Sequence, residues 1–306
     1  MHFKGNVSNL DWLCAPPQKS AIMKTLKLTL LCCLLSAFTF ADVSQGERDA
    51  LLALYNATNG ESWNTSWDLE QPVSEWFGIT TENDHVVAIS LTFNNLNGQL
   101  PEEISNLKSL KVLNLSFNRL QGELPSSITS MSGLEELKLF SNNISGSIPS
   151  DIGKMSNLRS LEMFNNNFEG EIPTSIGDLE KLETLILSSN QLTGRLPSSL
   201  SNLKALKVLS LFDNSLLGTI PPSIGQLAEL EELVLSNNAF YGNLPGEMAQ
   251  LTNLKTLLLS NNGFKGNFAF LKNELPNIVD FDLDEVNTKG ALATLDTEED
   301  DEDDND

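Results

Sequence analysis

Thiols and imidazoles are nearly absent from this sequence. Its 306 residues include three Cys and two His; Cys14, Cys32, Cys33 and His2 all lie before residue 42, leaving His85 alone in the remainder. A Ser or Cys nucleophile ordinarily needs an imidazole beside it, so most nucleophile–base arrangements are excluded. Basic side chains are scarce as well, 19 Lys+Arg against 41 Asp+Glu, for a formal net charge of −22. Binding to nucleic acid rests on Lys and Arg displacing counterions from phosphates, so that balance argues against it, and equally against adhesion to anionic membranes. No glycine motif for cradling phosphate follows a strand pattern. No catalytic, cofactor-binding or metal-binding residue is assigned, and no enzyme activity is expected. What is present suffices for a core: 40% of the residues are hydrophobic, which excludes wholesale disorder.

The charge is unevenly spread. Residues 1–41 hold four Lys and one Asp, leaving 15 of the 19 basic and 40 of the 41 acidic side chains beyond, and nine of those acids crowd into Asp296–Asp306. That stretch reads as a disordered acidic tail, either solubilising or binding cations or a partner. At the other end, Met23–Ala41 combines basic Lys24 and Lys27, an apolar stretch Leu28–Phe40 and the small-x-small triplet Thr39-Phe40-Ala41. This is the pattern of a cleaved secretory signal, with Asp42 as the mature N-terminus. Residues 1–22 read as an upstream mis-start or as a long n-region. The apolar stretch is short for a membrane span and none of spanning length follows. The mature product is therefore expected to be secreted (periplasmic in a Gram-negative bacterium), with no membrane insertion after cleavage.

The body of the chain repeats every 24 residues. Val86–Ser109 aligns with Leu110–Gly133, and the register holds without insertion at Leu134, Leu158, Leu182, Leu206, Leu230 and Leu254. Position 9 is Asn in all eight copies: Asn94, Asn118, Asn142, Asn166, Asn190, Asn214, Asn238 and Asn262. Position 13 is Gly in all eight, from Gly98 to Gly266, and position 16 is Pro in seven, with Ala269 in the eighth. A decayed ninth copy starts at Ile278 and keeps Phe281, Leu283, Gly290 and Leu292. Apolar residues at positions 1, 4 and 6 predict a short strand with one buried face and with positions 3, 5 and 7 outward. The position-9 Asn turns the chain out of the strand, and its amide can satisfy backbone groups of neighbouring coils as a structural ladder. Pro at position 16 opens a short helical return. One coil cannot bury its own core, so stability is expected from coil-to-coil interfaces.

These positions resemble the plant-type subclass of the leucine-rich repeat family, with pattern LxxLxLxxNxLxGxIPxxIxxLxx, over Val86 to about Leu292. The resemblance implies an α/β repeat solenoid: a curved right-handed superhelix with a concave parallel β-sheet and a convex side of short 3-10 or helical segments. It also implies kinship with receptor-like kinase ectodomains and secreted polygalacturonase-inhibiting proteins; no kinase portion or membrane anchor is found here. Residues 42–85 read as an N-terminal cap. It is built from an amphipathic helix over Glu47–Ala57, a hairpin from Trp76–Thr81 and Val86–Leu91, and a lid of Trp63, Trp67 and Trp76. Plant members carry a Cys-x-Trp-x-Gly-Val-x-Cys clasp where this chain has Ser74-Glu75-Trp76-Phe77-Gly78-Ile79-Thr80-Thr81, so the cap is more similar to cysteine-free bacterial and algal ones. The organisation expected is thus leader 1–41, cap 42–85, eight repeats over 86–277, a degenerate ninth repeat or cap over 278–295, and the tail 296–306.

Three sets of outward residues attract attention. Position 2 alternates in sign over seven coils, through Lys111, Glu135, Arg159, Glu183, Lys207, Glu231 and Lys255, as a charge ladder would. Asp280, Asp282 and Asp284 share one face of the last strand, where they protect a sheet edge or bind calcium; Glu285 and Ala291 stand where a calcium loop would need Gly and Glu. On the concave face, positions 5 and 7 place Phe140, Phe164, Ile186, Phe212, Val234 and Leu258 in a diagonal apolar patch, rimmed by Lys138, Glu136, Glu162, Asp213 and Glu232. Packing does not require these side chains, and an apolar patch with a charged rim marks a partner site, unless the repeat tolerates Phe at position 7 by habit. The function expected is a secreted, non-enzymatic recognition module binding a protein partner on its concave face. Polysaccharide or cell-surface adhesion, inhibition of a wall-degrading enzyme, or a structural or ice-binding rod are the alternatives. If the ligand is a glycan, the rings stack on sugars, with Asn165 and Asp213 beside them. Asn-x-Ser/Thr sequons at Asn56, Asn64, Asn114 and Asn143 read as coincidences of an Asn- and Ser-rich repeat.

Overall fold

The computed structural model describes residues 43–266, 271 and 274–282. The leader over 1–41, the tail over 296–306, and Ala269, Leu283, Asp284, Glu285, Gly290, Ala291 and Leu292 lie outside the described residues.

Helix α1 (Gln45–Ala57) starts two residues earlier than its apolar pattern suggests, because Ser44 and Glu47 close a capping box. Glu47, 5% exposed, also accepts from the Val86 amide at 3.2 Å and so ties the helix to the first coil. Leu51, Leu54 and Tyr55 face inward. Strands β1 (Ile79–Glu82) and β2 (His85–Ser90) pair antiparallel around Asn83-Asp84, both at positive φ (50° and 62°), the geometry of a type I′ turn. Trp63, Trp67 and Trp76 are at most 5% exposed; Trp67 stacks on Trp76 at 4.7 Å, and each indole N–H donates to a backbone carbonyl. The open end of the core is closed by this aromatic lid with its polar handles satisfied.

Beyond β2 the chain coils. β3 (Asn97–Gly98) is followed by β4 (Val112–Asn114), β5 (Arg119–Gly122), β6 (Glu136–Lys138), β7 (Asn143–Ser147), β8 (Ser160–Glu162) and β9 (Asn167–Glu171). Then come β10 (Thr184–Ile186), β11 (Gln191–Thr193), β12 (Val208–Ser210), β13 (Leu217–Gly218), β14 (Glu232–Val234), β15 (Ala239–Gly242), β16 (Thr256–Leu258), β17 (Gly263–Phe264) and β18 (Asp280–Asp282). One sheet runs β1-β2-β4-β6-β8-β10-β12-β14-β16-β18, parallel from β2 onward and in register by whole repeats. The odd-numbered strands form two lateral sheets that strand periodicity does not announce, one of β3, β5, β7, β9 and β11 and one of β13, β15 and β17. The returns are 3-10 turns of three to five residues, such as Ser126–Ser130 and Thr174–Asp178, opened by Pro125 and Pro173.

Each of the first seven coils sends seven side chains to one continuous core, Leu110, Leu113, Leu115, Leu120, Leu124, Ile128 and Met131 in the second. At about 1.5–3 kcal/mol per fully buried aliphatic side chain, coil-to-coil burial dominates stability. The position-9 asparagines stitch the coils: Asn166 Nδ2 donates to Leu139 O (3.0 Å) and Met163 O (3.1 Å), while its Oδ1 accepts from Ile144 N (3.0 Å). Asn94 makes the equivalent exchange with the cap, donating to Thr65 O and accepting from Thr65 N.

Candidate functional site

The outward face of the concave sheet is built from positions 3, 5 and 7 of each coil and from the turn residue at position 8. Coil stacking imposes φ between 52° and 56° on that turn residue from Phe93 to Asn261. Ser, Asn and Asp occupy it in the six later coils, whereas the first two have Phe93 and Phe117. A bulky side chain on left-handed backbone costs about 1–2 kcal/mol. Both rings are exposed, 64% and 41%.

The rings form one row. Phe93 stacks on Phe117 (centroids 4.1 Å apart, planes at 10°), Phe117 meets Phe140 edge to face (5.1 Å, 84°), and Phe140 stacks on Phe164 (4.3 Å, 8°). Of the six residues singled out from sequence, Phe140 and Phe164 are thus brought together, and with two partners that the alternation of a strand does not reveal. The available signal is Phe at a turn position where later coils place Ser, Asn or Asp. Phe212 stands apart, 36% exposed, with no ring stacked on it among the described residues. Val234 and Leu258 are paired across β14 and β16, but Ser210 separates Val234 from Ile186 in the same column. Ile186, Val234 and Leu258 are half-buried.

Lys138 sits between Glu136 (3.0 Å) and Glu162 (3.5 Å). Burial works against its charge, but the bond with Glu136 and the Glu162 carboxylate outweigh it and hold its pKa above the ordinary lysine value. Further along, Asp213, Glu232, Asp280 and Asp282 are exposed, with Ser260 donating to Asp282.

The position-2 row forms ion pairs in part. Arg159 and Lys207 both bind Glu183 (2.9 and 2.8 Å), and Lys255 binds Glu231 (2.5 Å). Three of the six expected rungs are missing among the described residues: Lys111 turns to Glu82 of the cap hairpin (3.5 Å), Glu135 closes on neither neighbour, and Lys207 does not close on Glu231. His85 is 54% exposed, with Nδ1 3.4 Å from Glu47.

Comparison with known proteins agrees with this architecture. Residues 149–269 match a leucine-rich repeat region model, and 109–131 and 133–155 match the single leucine-rich repeat. A probable leucine-rich repeat receptor-like protein kinase of Arabidopsis thaliana is 45% identical over 84 residues, 26% of this chain and 8% of the relative. The ectodomain of the plant membrane receptor kinase GASSHO1/SCHENGEN3 from Arabidopsis thaliana, in complex with CASPARIAN STRIP INTEGRITY FACTOR 2, superposes with TM-score 0.66 at 30% identity. It covers 78% of this chain and 32% of that one. The plant peptide hormone receptor RGFR1 in complex with RGF2 gives TM-score 0.60 at 38% identity, over 61% of this chain and 30% of that one. The chain belongs to the leucine-rich repeat family, in its plant-type subclass, and spans less than a third of the length of each of these relatives. Among the described residues no helix is long and apolar enough to cross a membrane.

Proposed function

We propose that this protein is a secreted, non-enzymatic recognition module that binds a polypeptide along its concave face. The single observation that carries this reading is the row Phe93–Phe117–Phe140–Phe164. Four rings are held outward, two of them at the expense of left-handed backbone, in a fold whose core needs none of them. The comparisons lend support: the receptors it resembles are solved with a peptide hormone or another ligand bound. Export is supported by the signal-like Met23–Ala41.

A glycan would stack on open ring faces, and Phe140 and Phe164 each close one face on the other, which favours a peptide whose side chains meet ring edges. An ice-binding rod would call for flat rows of small polar residues, whereas lateral position 12 carries Glu169, Leu217, Tyr241 and Lys265.

The test is selection from a random twelve-residue phage-displayed peptide library on the full chain, repeated on the variant Phe164→Ser with Phe212→Ser after melting shows it folded. Enrichment on the wild type is expected, with selected peptides binding the variant at least ~30-fold more weakly, the equivalent of about 2 kcal/mol for loss of an anchor. No enrichment, or equal binding to both proteins, would sink the reading.

A further inference from the structure

We infer that the concave face takes an extended peptide that meets the stacked rings with apolar side chains where it crosses coils one to four and carries its basic residues where it crosses coils six to nine. The inference rests on the proposed peptide-binding role and adds the ligand's chemistry and direction.

The first support is the distribution of charge. On the outward strand and turn positions, Lys138 is the one cation among the described residues, and it is committed to Glu136 and Glu162. From coil six onward the same surface presents Asp213, Glu232, Asp280 and Asp282 without a facing cation among the described residues. The basic residues bordering it at position 2 are engaged in their own row, Lys207 with Glu183 and Lys255 with Glu231. Asp213, Glu232 and the pair Asp280 and Asp282 stand on coils six, seven and nine of the same face and give it a negative potential that a cationic ligand would neutralise.

The second support is the polarity of the apolar residues. The aromatic row occupies coils one to four and ends where Ile186 begins the aliphatic column. Single apolar side chains, Ile186, Phe212, Val234 and Leu258, continue along coils five to eight, but the stacked rings and the free carboxylates lie toward opposite ends of one face, so a matching ligand fits in one direction only.

Shape is the third. The stripe is one or two side chains wide and nine coils long, about 40 Å at ~4.8 Å per coil, which an extended chain of about twelve residues spans. A linear occupant matches that outline; a globular surface would contact only part of it.

The composition and order of peptides selected from the random twelve-residue library on the full chain decide the matter. Enriched peptides should carry Lys or Arg clustered at one end and Leu, Phe or Met at the other, always in the same order. A synthetic copy should bind about two- to fivefold more weakly to Asp213→Asn or to Glu232→Gln, and more weakly in high salt. Glu232→Lys combined with Asp280→Lys, shown by melting to be folded, should redirect selection toward acidic ends. Enriched peptides that are neutral, acidic or without fixed order would overturn the inference while leaving the peptide-binding role standing, as would unchanged selection on the charge-reversed variant. An absence of enrichment, or binding indifferent to the Phe164→Ser and Phe212→Ser pair, would remove the role itself and this inference with it.

Discussion

Phe93 and Phe117 lie face to face, ring centroids 4.1 Å apart, although each sits on backbone with φ near +55°. Such a pair is retained against its local conformational preference, and substitution can separate a structural role from a binding one. Asn adopts left-handed backbone readily, so Phe117→Asn regains about 1–2 kcal/mol of strain while losing ring contacts of about 1 kcal/mol. Stability by denaturant melting should stay within about 1 kcal/mol of wild type or rise, while affinity for a selected concave-face peptide falls at least ~10-fold. A large loss of stability would make the row a structural element instead.

Asn166 is 7% exposed and bonds backbone groups of its own coil and of the one before it. Asn166→Ala strands Ile144 N–H away from water, while Leu139 O and Met163 O keep their donors Asn142 and Asn190, and should cost about 1–3 kcal/mol. The adjacent Asn167 is exposed, so Asn167→Ala should change stability by no more than about 0.5 kcal/mol. Equal effects in chemical denaturation would show that the asparagine ladder carries no special weight.

Hydrogen bonds from Lys207 and then Arg159 hold the Glu183 carboxyl below the ordinary carboxylate pKa. A depressed folded pKa stabilises the fold above the unfolded value, about 4.5, and that contribution disappears as pH falls through the folded value. Glu183→Gln should therefore melt lower than wild type at neutral pH, less so at high salt, and the two proteins should converge in strong acid. Glu135, which has no ion pair among the described residues, supplies the control: Glu135→Gln should leave the melting temperature at neutral pH nearly unchanged.

Gly98 has φ +147°, and a Cβ there would stand 1.9 Å from the Ala57 carbonyl oxygen at the end of the cap helix. Gly98→Ala must push the helix off the first coil and should cost more than about 2 kcal/mol. A red shift of the emission of Trp63, Trp67 and Trp76 would report the opened lid. Gly46 has open space around it within the helix, and Gly46→Ala should be neutral or stabilising by roughly 0.5 kcal/mol. Similar melting curves for the two variants would contradict this account of the junction.

Much of the fold was legible because a solenoid writes its geometry into a period. Leu at positions 1, 4 and 6 marks the buried face of a strand wherever the repeat occurs, and Asn at position 9 marks the coil-to-coil bond. Outward placement of Phe140 and Phe164 followed from the same alternation. Phe93 and Phe117 did not, because alternation stops at the strand's end and says nothing about a turn whose φ is imposed by stacking. The charge row was legible as a pattern but not as contacts. Lys111 is drawn off to Glu82 because β1, the hairpin strand that lies outside the repeat, pairs beside the first coil and offers a rival carboxylate.

The sequence by itself therefore determined the parallel sheet, the Pro-opened returns, the buried leucines and the asparagine ladder, since each depends on spacing along one chain and recurs in every coil. Only the tertiary structure decided which rings touch, which ion pairs close, and that two further sheets of short strands run along the flank. Those features depend on distances between coils and on the cap, where no repeat enforces a partner and side chains choose among neighbours that only folding brings within reach.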